Sequence, residues 1–239
     1  MGSAYFYLEP LLALLTLLKS HYKNPAIFAL EYTLVPDSVF PTQLIETAAG
    51  YTYALSLVSN DPSRVCVGGD SAGGTLVLSL LLYLAGDEQS RKTKPAYCTL
   101  LSPWVTLVSK ANRDTTSDYL NAESLHMYGR QYAGRHEELQ NPLVSPGSCS
   151  DIKWWRNAAP TNGFYIAYGS EEVFGPEIRS FIKLLRRTKI STSVKEEPGA
   201  VHAWVIARLF LEETWETRVR GMKELVQAVI ENIDPNKTK

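Results

Sequence analysis

The stretch Arg64-Val65-Cys66-Val67-Gly68-Gly69-Asp70-Ser71-Ala72-Gly73-Gly74, followed by Thr75-Leu76-Val77-Leu78-Ser79-Leu80-Leu81-Leu82-Tyr83-Leu84, decides how this chain is read. Its first five residues form a short apolar run that reads as a buried strand, and its last ten form a longer run that reads as a buried helix. A Gly-x-Ser-x-Gly pentad between a strand and a helix makes a sharp turn with the serine at its apex. Glycines on either side of the serine suit so tight a turn because they carry no Cβ. The turn lifts the Ser71 hydroxyl out of the sheet. It also sets the Ala72 amide at a helix N-terminus, where it can donate to a developing oxyanion. The bland alternative is a glycine-rich turn with an incidental serine, and the partners found downstream speak against it.

Working outward, strand-like and helix-like runs alternate, which favours a mostly parallel sheet covered by helices on both faces. The strands expected are Ala26–Tyr32, Arg64–Gly68, Ala96–Leu101, Phe164–Tyr168 and Ser193–Glu197. The helices expected are Ser3–Ser20, Thr42–Val58, Gly73–Leu84, Pro176–Arg187 and Glu212–Ile233, the last with Trp215, Val219, Met222, Leu225, Val226, Val229 and Ile230 near a helical repeat. There are no internal repeats, and residues 1–239 read as a single α/β domain. Lys110–Ser150 lacks strand character and carries aromatic and apolar residues at mixed spacing. Its position suits a lid or cap over a pocket, with simple surface helices as the alternative.

Composition narrows the function classes. The chain has 24 Lys and Arg against 25 Asp and Glu, a net charge of -1, so nothing electrostatic points to nucleic acid. Cys66, Cys98 and Cys149 are too widely spaced for a metal pattern and form no even disulfide framework, which fits a reducing compartment or a protein indifferent to redox. Tyr5–Leu18 is apolar, but no basic residue precedes it and Glu9 and Pro10 interrupt it, so it does not read as a signal core. It is also shorter than the roughly 20 residues that span a bilayer. An intracellular location is expected, with a membrane-surface role for this helix as the alternative.

A serine hydroxyl needs an adjacent base to act as a nucleophile. The histidines are His21, His126, His136 and His202. His21 closes the first helix, and His126 and His136 lie in polar sequence. His202 follows a strand-like run and the loop Pro198-Gly199-Ala200-Val201, which puts it at the carboxyl end of the sheet, where parallel-sheet sites lie. His202 is the expected base. An acid should follow the preceding strand. Glu171 and Glu172, both just after Phe164–Tyr168, qualify equally by position. One of them would hold the imidazole tautomer.

These residues resemble the α/β-hydrolase superfamily and, more narrowly, the hormone-sensitive-lipase-like carboxylesterases, a group with arylacetamide deacetylases and fungal steryl acetyl hydrolases. The resemblance covers nearly the whole chain. It is carried by Glu31-Tyr32-Thr33-Leu34-Val35-Pro36-Asp37 with Phe40-Pro41, by Gly69–Gly74, by Leu101-Ser102-Pro103-Trp104 and by Val144-Ser145-Pro146. Gly169-x-x-Glu172-Val173-Phe174 and Val201-His202-Ala203-Trp204 are similar to the group's acid and histidine loops. The acid of that group lies three residues after the glycine, so the resemblance implies a triad of Ser71, Glu172 and His202. It also implies chemistry without metal or cofactor, on a small hydrophobic ester. Some members of the group are membrane-anchored, so membrane association is a further implication.

One family element is not matched. The group carries His-Gly-Gly-Gly just before a Gly-Ser that resembles Gly2-Ser3, and those glycine amides make most of the oxyanion hole. The strand leading into them lies mid-sheet, between the strands matching Ala26–Tyr32 and Arg64–Gly68. A chain beginning at Met1 is therefore expected to lack the family's first strands, as a truncated gene model would, and to fold poorly or repair its sheet. Each buried unpaired backbone group would cost about 1–3 kcal/mol. The functional expectation is a serine esterase acting through an acyl-enzyme on short-acyl esters of apolar alcohols. The alternatives are a weakly active or inactive remnant that binds a ligand or protein, and a serine peptidase of the same fold.

Overall fold

The computed structural model describes residues 5–234. In chain order the elements are α1 (Leu8–Leu18), α2 (Thr42–Leu57), β1 (Cys66–Asp70), α3 (Ser71–Leu84), the single turn α4 (Glu88–Arg91), β2 (Tyr97–Leu101), α5 (Ala122–Ala133), α6 (Ile152–Ala158), β3 (Phe164–Gly169), α7 (Gly175–Arg187), β4 (Thr192–Glu197), α8 (Trp204–Leu211), α9 (Trp215–Arg218) and α10 (Arg220–Asn232). The strands form one parallel sheet in the order β1-β2-β3-β4.

Side chains alternate across a strand, so a strand buried on both faces feeds two cores. Every residue of β2 and β3 is buried. Cys98, Leu100, Phe164, Ile166 and Tyr168 face one core, shared with α3, α5, α6 and α7. Tyr97, Leu101, Tyr165 and Ala167 face the other, shared with α1, α8 and α10. The result is a sheet between two helical layers. Helix α7 meets its core through Ile178, Phe181, Ile182 and Leu185, one face at helical spacing. On the other side Gly221 lets α10 approach α8, where an added Cβ would sit 2.8 Å from the Trp204 ring.

Two expectations are corrected. Residues 26–32 are irregular and join no ladder among the described residues. A strand exists through its neighbour, and the sheet ends at β1, so this stretch has no backbone to pair with. The sheet is not repaired across that gap. The open edge of β1 is not sealed off either: Gly68 is exposed and the rest of the strand is half-buried, so its unpaired groups can meet solvent. Second, the helix expected over Glu212–Ile233 is broken. The Thr214 hydroxyl accepts from the Thr217 amide and starts the short α9. Val219, fully buried, then adopts a non-helical φ,ψ of -91,2 before α10 begins. The expected helix Ser3–Ser20 is observed as α1, and its first residues lie outside the described ones.

Candidate active site

Ser71 is the first residue of α3, directly after β1, with φ +51. That left-handed backbone is uncommon for a residue with a Cβ and marks a strained turn. A Cβ on Gly69 would run into the Gly73 backbone, so the turn needs glycine there, and Gly74 is needed against Pro103, whose Cβ would lie 2.8 Å from an added methyl. Gly73 itself faces open space, so the expected steric need for glycine holds at Gly69 before the serine and at Gly74 after it, and not at Gly73. The Ser71 carbonyl accepts from the Trp104 amide at 3.0 Å, which ties the turn to the end of β2.

No side chain caps α3, and the first amides of a helix lack partners within it. The Ala72 amide is one of these. The neighbouring Asp70, which could have capped, instead accepts from the Tyr7 hydroxyl at 2.8 Å. Burial pushes the Asp70 carboxyl up, and the Tyr7 hydrogen bond partly offsets this.

Glu172 lies in the loop after β3 and is 2% exposed. Its Oε2 accepts from the Ser102 hydroxyl at 2.6 Å and from the Gly169 amide at 3.0 Å. Burial pushes its carboxyl up to about 8; Ser102, Gly169 and Arg179 pull it down, and the Asp118 charge pushes it further up. The adjacent Glu171 is partly exposed.

His202 lies in the loop after β4 and is 3% exposed. Burial holds its imidazole down at about 3, in the neutral form that a general base requires. The rings of Phe174 and Tyr119 meet it edge-on at 5.2 Å and 6.0 Å, and Trp104 stacks on Phe174 at 5.5 Å. The next residue, Ala203, has φ +52, and its amide donates to the Ser102 hydroxyl at 2.9 Å. Ser102 thereby joins the acid to the histidine loop.

The structure thus brings Ser71, Glu172 and His202 to the carboxyl ends of β1, β3 and β4 of the parallel sheet, and Glu172 and His202 into the interior. It does not join acid to base: Glu172 Oε1 and His202 Nδ1 are both buried without a hydrogen-bond partner among the described residues. His126 lies elsewhere in the hydrogen-bond pattern, accepting from the Ser109 amide at 3.4 Å. A cavity of about 590 Å³ bounded by Pro62, Lys94, Ala96 and Asn162 lies before β2 and β3, at the opposite end of the strands.

Sequence reasoning missed three residues of the site. Ser102 sits in a motif that the resemblance named without assigning it a role. Asp118 and Tyr119 lie in a segment without regular spacing, and their contacts span 55 and 83 positions, which leaves no local signal to read.

Among curated proteins, the steryl acetyl hydrolase-like protein mug81 of Schizosaccharomyces pombe is 30% identical over 205 residues, 80% of this chain and 51% of its own length. An acetyl-hydrolase of Streptomyces hygroscopicus is 27% identical, over 75% of this chain and 57% of its own. The chain spans about half the length of these relatives. The crystal structure of carboxyl esterase 2 from the mycorrhizal fungus Tuber melanosporum shares the fold, with a TM-score of 0.79 at 18% identity over 98% of this chain and 74% of its own. The family model described as alpha/beta hydrolase fold matches residues 15–206. With that match over most of its length, and with its parallel sheet, strand-to-helix serine turn and helices on both faces, the chain belongs to the alpha/beta hydrolase fold family.

Proposed function

We propose that this chain carries the nucleophile, acid and base of a serine carboxylic-ester hydrolase acting on short-acyl esters of apolar alcohols. Ser71 Oγ attacks the acyl carbon while His202 takes its proton, and the Ala72 amide donates to the oxyanion. His202 returns the proton to the departing alcohol, leaving an acyl-enzyme. Water, deprotonated by His202, then attacks that ester; the C–O bond to Ser71 breaks, His202 returns the proton to Ser71 Oγ, and the acid is released. Glu172 orients the imidazole and stabilises the imidazolium that forms.

The observation that carries this reading is the strained Ser71 turn together with two buried titratable side chains on the loops after β3 and β4 at the same sheet end, Glu172 and His202. The names of the acetyl-hydrolase relatives support a short acyl group. The exposed Tyr119 ring, edge-on to His202, supports an apolar substrate. Turnover of p-nitrophenyl acetate, with Ser71→Ala as control and a peptide p-nitroanilide as counter-substrate, tests it. Acetyl ester turnover lost in the variant is expected.

A second reading, a catalytically silent member that binds an apolar ligand, is favoured by the unjoined Glu172 Oε1 and His202 Nδ1. Ester binding without turnover would select it.

A further inference from the structure

We propose that Asp118 is a positioning residue that clasps the acid and histidine loops together, its carboxylate taking one backbone amide from each. The inference rests on the triad reading above. The Val173 amide donates to Asp118 Oδ2 at 2.8 Å, and the His202 amide donates to Oδ1 at 3.4 Å. Val173 is the residue next to Glu172, and His202 is the base itself.

The neighbours of Asp118 extend the clasp. The Thr115 hydroxyl donates to the Glu171 carbonyl at 2.6 Å and accepts from the Asp118 amide at 3.0 Å. The Tyr119 hydroxyl donates to the His202 carbonyl at 3.3 Å. Residues 115–119 therefore grip the chain on both sides of Glu172 and both backbone polar groups of His202. The two loops also meet directly, where the Glu171 amide donates to the Ala200 carbonyl at 3.0 Å. That contact fixes them before the histidine. Asp118 fixes them at the functional residues. A carboxylate that accepts two amides makes charge-assisted bonds, and positioning of this kind matters because small misplacements of reacting groups are costly in rate.

Asp118 also acts by charge. Glu172 is faced by the Ser102 hydroxyl at the end of β2, the Gly169 amide, Arg179 of α7 and Asp118. Of these, Asp118 alone opposes ionisation of the Glu172 carboxyl, so removing its charge should let Glu172 lose its proton at lower pH. Looser packing that admits water would move that pH the same way, because burial is the largest cause of the rise, so Thr115→Ala, which loosens the clasp and keeps the Asp118 charge, separates the two.

The test compares the full chain with Asp118→Asn and Thr115→Ala. It reads amide hydrogen exchange at Val173 and His202, and the rate of fluorophosphonate labelling of Ser71 against pH. Asn offers one acceptor oxygen in place of two, so at least one of the two amides should exchange about tenfold faster. Labelling should fall roughly 10- to 100-fold, and the midpoint of its rise with pH should move down. Thr115→Ala should slow labelling and leave the midpoint in place. Unchanged exchange at both amides would overturn the proposal. So would faster exchange with labelling and midpoint unmoved, because the clasp would then be structural only. If Asp118→Asn does not fold, a wild-type labelling rate in Thr115→Ala overturns it. A folded wild type that takes no label sinks the triad reading instead, and exchange at the two amides still judges the clasp.

Discussion

The hydroxyl of Ser102 lies 2.6 Å from Oε2 of Glu172, a buried donor against a buried carboxyl. The Ser102 Oγ also accepts from the Ala203 amide, so one side chain satisfies groups on two loops. Ser102→Ala should leave that amide without its acceptor and Glu172 with one donor fewer, at a cost of about 1–3 kcal/mol, read by urea unfolding. Because the Ser102 hydrogen bond lowers the Glu172 carboxyl, its loss should also move the rise of Ser71 labelling to higher pH. That is opposite in sign to the shift expected for Asp118→Asn.

Glu172 and His202 impose a pH dependence on stability. Burial raises Glu172 from 4.5 to about 8, so its contribution to stability is fully present below about 4.5 and is lost as pH rises through 8. Burial lowers His202 from 6.5 to about 3, so its contribution is present above about 6.5 and is lost as pH falls through 3. The two oppose each other between 4.5 and 6.5, and above that Glu172 acts alone. The melting temperature should therefore fall from pH 6.5 to 8.5, with a slope of at most ~1.4 kcal/mol per pH unit from this one proton. Glu172→Gln should flatten the fall. An undiminished fall in that variant would contradict the assignment.

The glycines of the turn should respond differently to the same substitution. Gly73→Ala meets nothing within 4 Å inside α3, and replacing a helical glycine there should stabilise by roughly 0.5–1 kcal/mol. Gly74→Ala presses a methyl against Pro103 and should destabilise by about 1–3 kcal/mol. Urea midpoints of the two variants check this.

Strain at Ser71 predicts a trade between stability and chemistry. Ser71→Gly should relieve the φ +51 backbone and raise stability by about 1 kcal/mol, while abolishing labelling at that position. A less stable Ser71→Gly would mean that the turn is not strained.

Much of the sheet was legible because its evidence is local. Tyr97–Leu101, apolar but for Thr99, and Phe164–Gly169 are near-continuous apolar runs, as expected of strands buried on both faces. Residues 26–32 carry the same local pattern and form no strand, because pairing depends on a neighbour that no local pattern reveals. The break at Val219 was hidden for a related reason: the apolar spacing runs across it, and the Thr214 cap sets the boundary. Of the residues proposed for the site, Ser71 stands out by its glycines and His202 by its place after a strand. Glu172 could be told from Glu171 by resemblance alone; in the structure the buried hydrogen bond to Ser102 distinguishes them. The contacts of Asp118 with Val173 and His202 cross 55 and 84 positions, beyond the reach of spacing rules.

The most direct measurement is covalent labelling of the folded chain with a fluorophosphonate, followed by peptide mass mapping. Phosphonylation of Ser71 is expected, with no label in Ser71→Ala and strongly slowed labelling in His202→Ala. A folded chain that takes no label on Ser71, or one labelled there as fast without His202, would contradict the triad.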